Sequence, residues 1–261
     1  MSIDENSEPE LPKISEKLKA ILAQYPNERL FITQGYICKN HRNEVDNLKR
    51  GGSDYTASLV AAAINASVCE IWTDIDGMHN NDPRVVDRTR PIAEMSFDEA
   101  AELAYFGAKI LHPASIWPAQ LYNVPVKLLN TMEPTAHGTL IKAEVETTGV
   151  KAIAAKDGIT AIKIKSSRML LAYGFLRRIF EVFEKYKTPI DMITTSEVAV
   201  SVTIDDLSHL EQIQAELESF GTVEIDRNQA IICVVGNKVA ETKGAVQSVL
   251  DSLIDIPVRM V

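Results

Sequence analysis

Three short stretches combine residue types that can grip a small amino acid and a phosphate. Arg50-Gly51-Gly52-Ser53-Asp54 joins a polar loop to the start of an apolar helical run. Its glycines let backbone N–H groups approach an anion closely, and a helix N-terminus adds a favourable potential. Arg50 can hold a carboxylate through two parallel hydrogen bonds, and Asp54 supplies the opposite charge, so the loop suits a zwitterion. The bland alternative is a helix-capping turn with a surface arginine. Trp72-Thr73-Asp74-Ile75-Asp76-Gly77 follows an apolar strand and sets Thr73 and Asp74 at its carboxyl end, where open α/β sheets bind ligands. Asn81-Asp82-Pro83-Arg84 then forms a turn presenting Arg84; an ordinary strand end with an Asp-rich turn is the competing view. Calcium-loop chemistry fails there, because Gly77 and Met78 stand where the pattern needs other residues. In Phe106-Gly107-Ala108-Lys109-Ile110-Leu111-His112-Pro113 a glycine ends one helix and a lysine opens the next segment. Taken singly, Lys109 reads as a solvated surface residue, and His112 as a hydrogen-bonded structural residue rather than a base.

The surrounding pattern supplies elements to position these groups. An acidic, proline-containing lead-in (residues 2–12) precedes an amphipathic helix with Ile14, Leu18, Ile21 and Leu22 on one face, stopping near Pro26. Residues 30–37 read as a strand, ended by a polar loop at 39–47. From Ser53 the apolar residues run nearly all round a helix, as expected of one packed inside. Residues 69–74 form a short buried strand. Ser96 with Glu99 makes a capping box that opens a helix ending near Gly107, and residues 124–129 form the next strand. This alternation predicts an α/β unit with a parallel-rich sheet. Proline, glycine and threonine accumulate between residues 130 and 158, which places a domain boundary near residue 150. Beyond it the strand at 159–164, a helical stripe of Phe175, Ile179, Phe180 and Phe183, strands at 191–195 and 198–204, a helix at 207–217 and a strand at 222–225 give the βαββαβ, ferredoxin-like order. Residues 230–235, 246–253 and 258–261 read as strand, helix and strand of a second such unit, and the chain stops on that apolar strand, which suggests truncation.

Composition narrows the function classes. A net charge of -9 over 261 residues argues against nucleic acid as the main partner, which needs a clustered basic surface. The three cysteines are far apart and suggest neither a disulfide framework nor a metal site. Signal-peptide and membrane-span patterns are lacking, so the cytoplasm is the expected compartment and no membrane partner is expected. The chain has no Gly-x-x-x-x-Gly-Lys-Ser/Thr loop, no protein-kinase signature and no zinc-hydrolase motif.

In their order and spacing, the motifs at 50–56, 72–84 and 106–113 resemble the aspartate kinases of the amino-acid kinase family, whose catalytic domain is three-layered. Met169, Gly174-Phe175-Leu176 and the run Asp191-Met192-Ile193-Thr194-Thr195-Ser196-Glu197 resemble the ACT regulatory region of those enzymes, nearest the lysine-inhibited type. The resemblance implies that residues 1–150 are the C-terminal part of a catalytic domain. It makes residues 151–261 an ACT region with one full unit and part of a second. It also implies transfer of the ATP γ-phosphoryl group to the side-chain carboxylate of L-aspartate, with Mg2+ accompanying ATP, for lysine, threonine and methionine synthesis. Arg50, Gly51, Gly52, Ser53 and Asp54 would hold aspartate; Thr73, Asp74, His79, Arg84, Lys109 and Ile110 would line the nucleotide site. Where some relatives place a tyrosine near the adenine, this chain has His79, which alters the stacking expected there.

In the regulatory half, a carboxylate at Asp191 can pair with a ligand ammonium and the hydroxyls of Thr195 and Ser196 can hold its carboxylate, with Met169 beside them. The resemblance makes lysine the effector and implies a homodimer through the ACT region. One departure stands out: the family's opening Lys-Phe-Gly-Gly-Thr-Ser strand, whose lysine faces the transferring phosphate, is absent from these 261 residues. The chain by itself is therefore expected to be a weak or inactive kinase. The alternative is an amino-acid-sensing module acting alone or with a full-length relative. Glutamate 5-kinase or uridylate kinase activity fits the ACT-like half less well.

Overall fold

The computed structural model describes residues 1–49, 51–107, 111–169 and 173–261. The chain divides into two compact units: Met1–Ala154 with Cys233–Val246, and Ala155–Ile232 with Gln247–Val261.

In the first unit, helix α1 (Leu11–Leu22) buries Leu11 and Ile14 against helix α2 (Gly52–Ile64). The expected stripe is shifted back by a turn: Leu11, Ile14 and Leu18 face inward, whereas Ile21 is half exposed. Ser15 Oγ donates to the Ala63 carbonyl at 2.8 Å, fixing the crossing. The α2 sequence is rich in alanine, and these small side chains let α1 and α4 (Pro113–Leu121) approach closely. Pro118 inside α4 disturbs the local helix ladder, and the neighbouring Ala119 N–H bonds instead to Ser58 Oγ of α2 at 3.1 Å.

Residues 30–37 do not form the strand expected of them. Only the short β1 (Ile37–Lys39) forms, as a hairpin with β2 (Val45–Asn47) across the predicted polar loop. Leu30 and Ile32 are 79% and 92% exposed and join no ladder. Strand propensity is satisfied only when backbone partners are present, and residues 30–34 have none among the described residues.

The sheet of this unit is ordered β3-β5-β6-β4, from β3 (Cys69–Thr73), β5 (Val126–Asn130), β6 (Thr139–Lys142) and β4 (Glu94–Ser96). The β3–β5 and β4–β6 pairings are parallel and β5–β6 antiparallel, which makes the sheet parallel-rich as anticipated. β3 is not wholly buried: Glu70 and Trp72 face outward while Cys69 and Ile71 face the core. Helix α3 (Phe97–Phe106) begins with the expected capping box, both reciprocal bonds present, and ends at Gly107. A Cβ on Gly107 would lie 2.8 Å from Ala154 Cβ, so glycine here permits close packing.

The second unit carries α5 (Phe175–Lys185), β8 (Met192–Thr195), β9 (Ala199–Ile204) and α6 (Leu210–Leu217), with residues 155–165 of β7 (Gly149–Lys165) and 222–232 of β10 (Thr222–Asn237); the remaining residues of β7 and β10 belong to the first unit. Sheet order β10-β7-β9-β8, with β9 antiparallel to both β7 and β8, is the ferredoxin-like arrangement. Ile162 and Ile164 of β7 and Val200, Val202 and Ile204 of β9 form one apolar face. Phe175, Ile179, Val182 and Phe183 of α5, with Leu210, Ile213 and Leu217 of α6, cover it. Val182 takes the place expected for Phe180, which is partly exposed. The two strands predicted at 222–225 and 230–235 are one continuous β10, since pairing carries the backbone across the polar stretch between them. Helix α7 (Ala245–Ser252) follows; the strand predicted at 258–261 is absent, and Val261 is largely exposed without a ladder partner.

Candidate active site

The loop that leads into α2 is built around two glycines. Gly51 is the helix N-cap with φ +71°, the left-handed region, and a Cβ there would meet His112 Cβ at 2.8 Å. A Cβ on Gly52 would fall 2.7 Å from the Tyr36 ring. Thr56 Oγ1 donates to the Gly52 carbonyl at 2.8 Å and accepts from the Tyr36 N–H at 3.0 Å, pinning residues 35–37 to the first turn. Among the described residues no side chain caps this helix; the Gly52 N–H donates to the Lys49 carbonyl at 3.1 Å, and the later first-turn N–H groups are suited to an anion. Ser53 is exposed and Asp54 half-buried, and burial lifts the Asp54 carboxyl above its ordinary pKa. A neighbouring ammonium would reverse that effect by favouring the charged form. Arg50, singled out in the sequence for its carboxylate-binding fork, lies outside the described residues.

At the second motif, β3 ends at Thr73, whose hydroxyl donates to Asp74 Oδ1 at 3.1 Å. The Thr73 carbonyl accepts from Thr131 N–H at 2.8 Å, so the carboxyl ends of the parallel strands β3 and β5 are stitched together. Asp74 is exposed at this tip. The following turn is held by a residue that sequence reading passed over. Thr139 Oγ1 accepts from Met78 N–H at 2.8 Å and donates to the Ile92 carbonyl at 2.7 Å. Gly77, at φ +124°, packs so closely on Thr139 that a Cβ would lie 2.5 Å from that hydroxyl.

His79 has both ring nitrogens engaged, Nε2 with Asp76 Oδ1 at 2.6 Å and Nδ1 with Thr89 Oγ1 at 2.8 Å. It can therefore offer a ring face rather than a free nitrogen. Arg84 clasps Asp82 through Nε at 3.0 Å and Nη2 at 2.6 Å, and this holds the Asp82 carboxyl below the usual range. The guanidinium is mostly exposed and can exchange this partner for a phosphate.

Of the third motif, Lys109 and Ile110 lie outside the described residues. The His112 carbonyl accepts from Ser115 N–H at 2.8 Å and from its hydroxyl at 2.6 Å as α4 begins. His112 also abuts Gly51, which brings the third motif against the first.

In the second unit, Asp191 immediately precedes β8, with its N–H bonded to the Thr203 carbonyl at 2.9 Å. Its carboxylate pairs with Lys156, a contact invisible to local pattern because the partners are 35 residues apart. Thr195 and Ser196 lie exposed at the far end of β8, and Met169 packs against the apolar core. Asp191 and Thr195 stand four positions apart along extended strand, roughly 13 Å between Cα atoms.

Comparison with known proteins accords with the motif reading. The amino acid kinase family profile matches residues 3–130. Lysine-sensitive aspartokinase 3 of Escherichia coli is 36% identical over 264 aligned residues, covering 98% of this chain and 59% of the relative. The chloroplastic aspartokinase 3 of Arabidopsis thaliana is 38% identical, covering 87% of this chain and 42% of its own. The chain thus spans well under two thirds of the length of these relatives. Among solved structures, E. coli aspartokinase III in complex with aspartate and ADP superposes with a TM-score of 0.85 at 35% identity, over 100% of this chain and 61% of the other. The same enzyme in complex with lysine and aspartate gives 0.80 at 36% identity, over 100% and 60%. With motifs, fold and whole-chain similarity in agreement, the chain belongs to the amino acid kinase family, among the aspartokinases.

Proposed function

We propose that this chain carries most of an aspartate kinase, which transfers the γ-phosphoryl group of ATP to the side-chain carboxylate of L-aspartate and yields 4-phospho-L-aspartate. The observation that carries this reading is the similarity of the whole chain to an aspartokinase solved with aspartate and ADP. In this reading residues 1–150 contribute to the catalytic domain. Arg50 takes the α-carboxylate of aspartate, and the amides of Gly51 to Ser53 and the half-buried Asp54 complete the zwitterion site. Thr73, Asp74, His79, Arg84, Lys109 and Ile110 serve the nucleotide. Mg2+ enters with ATP, and the exposed carboxylate of Asp74 at the strand tip is of the oxygen-donor type that such an ion accepts. Catalysis then rests on positioning and charge neutralisation.

Residues 151–261 form the regulatory ACT region. Lysine is the proposed effector, held by Asp191, Thr195, Ser196 and Met169; the E. coli relative carries lysine sensitivity in its name and was solved with lysine. The four-residue strand β8 lies at a sheet edge, which gives a physical motive for pairing between two copies in a homodimer. Among the described residues no helix is long and apolar enough to cross a membrane; a cytoplasmic biosynthetic enzyme is the reading adopted.

The 261 residues contain no Lys-Phe-Gly-Gly-Thr-Ser segment, and loss of one preorganised charge stabiliser typically costs about 100- to 1000-fold in rate. The chain alone is therefore proposed to be a weak kinase. Trapping the acyl phosphate as a hydroxamate tests both statements. The chain alone should give little product, and the chain supplied with the Lys-Phe-Gly-Gly-Thr-Ser segment of an aspartokinase should give product from L-aspartate. Rapid turnover by the chain alone overturns the weak-kinase statement. A supplemented chain that folds but leaves L-aspartate untouched overturns the kinase assignment and favours an amino-acid-sensing module.

A further inference from the structure

The carboxylate proposed to receive the effector's ammonium already holds an ammonium. Lys156 Nζ lies 3.0 Å from Asp191 Oδ1 and 2.8 Å from Asp205 Oδ2, bridging the two carboxylates. The three side chains differ sharply in exposure: Asp191 0%, Lys156 20% and Asp205 42%. No solvent reaches the Asp191 side chain, so a ligand cannot approach it without displacing a neighbour.

Asp191 itself is anchored. Its N–H bonds to the Thr203 carbonyl, and the next N–H, that of Met192, bonds to Thr203 Oγ1 at 3.0 Å. Lys156 is a flexible four-carbon stem, and it has a second, more exposed carboxylate, Asp205, to retreat to. Burial alone would lower the Lys156 pKa, yet its hydrogen bonds to Asp205 and Asp191 outweigh that and leave it above its ordinary value. Lys156 thus remains charged, and the place beside Asp191 is filled by a cation of the same chemistry as a lysine side chain.

We infer that Lys156 is a tethered stand-in for the effector's ammonium, and that a diamino-acid effector binds by displacing it from Asp191 onto Asp205. This inference rests on the reading of Asp191 as an effector residue. Binding is then an exchange of one ammonium for another at a buried carboxylate, never the filling of a bare one. Apparent affinity is the intrinsic affinity reduced by the fraction of time Asp191 is uncovered.

Calorimetric titration of the full chain with L-lysine tests the exchange. If Lys156 covers Asp191 roughly nine-tenths of the time, Lys156→Met should tighten lysine binding about tenfold. Lys156→Arg, which keeps a cation there, should not tighten it, and Asp205→Asn, which removes the retreat, should weaken it. Binding by Lys156→Met that is unchanged or weaker overturns the inference. A measurement on the unaltered chain guards against a misfolded variant. The Lys156 side-chain 15Nζ resonance should move on saturation with lysine, and a resonance that stays fixed while lysine binds refutes displacement. Asp191→Asn separates the two levels of the argument. If this variant binds lysine like the unaltered chain, or if no form binds lysine at all, the effector reading fails and the inference with it. If Asp191→Asn abolishes binding but Lys156→Met does not improve it, only the displacement is wrong.

Discussion

Replacing Lys151 with methionine removes one half of a buried ion pair and should destabilise the first unit strongly. Lys151 Nζ lies 2.7 Å from Glu99 Oε2, and the two side chains are only 9% and 6% exposed. Glu99 also accepts the Ser96 N–H at 2.7 Å through that same oxygen, and its Oε1 is buried with no hydrogen-bond partner among the described residues. Without Lys151 the carboxylate keeps a single backbone donor in a site largely withdrawn from water. Breaking a buried pair from one side typically costs about 3–5 kcal/mol, because the surviving charge is left uncompensated. For a folding unit of this size each kcal/mol moves Tm by about 2–4 °C, so Lys151→Met should lower it by about 6–20 °C. Glu99→Gln should cost a comparable amount by stranding the ammonium, although glutamine preserves the capping-box geometry. The double variant removes both charges together and should recover at least about 2 kcal/mol relative to the additive sum. Both tryptophans of the chain, Trp72 and Trp117, lie in the first unit, so urea unfolding followed by their fluorescence isolates the relevant transition. Single variants that each cost under about 1 kcal/mol, or a double variant as unstable as the sum of the singles, would show that this pair is not coupled as its burial requires.

Gly51→Ala places a Cβ in the left-handed region and against His112, for a cost of at least about 1–2 kcal/mol from the backbone alone; an unchanged urea midpoint would contradict the packing described for this loop. Thr139→Val strands the Met78 N–H and the Ile92 carbonyl, at about 1–3 kcal/mol per buried group left without a partner. Hydrogen exchange at Met78 should accelerate far more than across the β3–β5 ladder, and equal protection before and after would remove Thr139 from its role. Asp54 has a folded pKa raised by burial, so between the ordinary aspartate value and the raised one the native state binds more protons than the unfolded state. Its contribution to stability therefore falls as pH rises through that window, and Asp54→Asn should gain on the unaltered chain as pH increases. A difference that is flat with pH, or of opposite sign, would be inconsistent with burial as the cause.

Features written in adjacent residues were legible before the fold was known. The Ser96–Glu99 capping box needs only a spacing of three and forms with both bonds in place. The helix after Gly51 and the βαββαβ rhythm of the second unit were likewise readable from periodicity. What escaped depends on partners distant in the chain. Residues 30–34 have the composition of a strand but no ladder to join, whereas β10 runs unbroken through a polar stretch because β7 pairs alongside it. The helix start at Gly51 and Gly52, the strand end at Thr73 and the strand that follows Asp191 were readable by residue type and position. Thr139 and Lys156 were not, since a threonine 61 residues from the amide it holds and a lysine 35 residues from its carboxylate carry no local signature.

The central claim is that the loop at 50–54, the strand tip at 73–74 and the segment at 109–110 serve one aspartate–nucleotide site. Backbone amide shifts recorded while L-aspartate and Mg2+–ADP are added together to the chain, supplemented with the Lys-Phe-Gly-Gly-Thr-Ser segment, test it most directly. The account predicts that amides of Gly51, Gly52, Thr73, Asp74, Lys109 and Ile110 shift as one set, with the first loop responding to aspartate and the other two segments to the nucleotide. Saturable binding whose shifts bypass any one of these segments would contradict it.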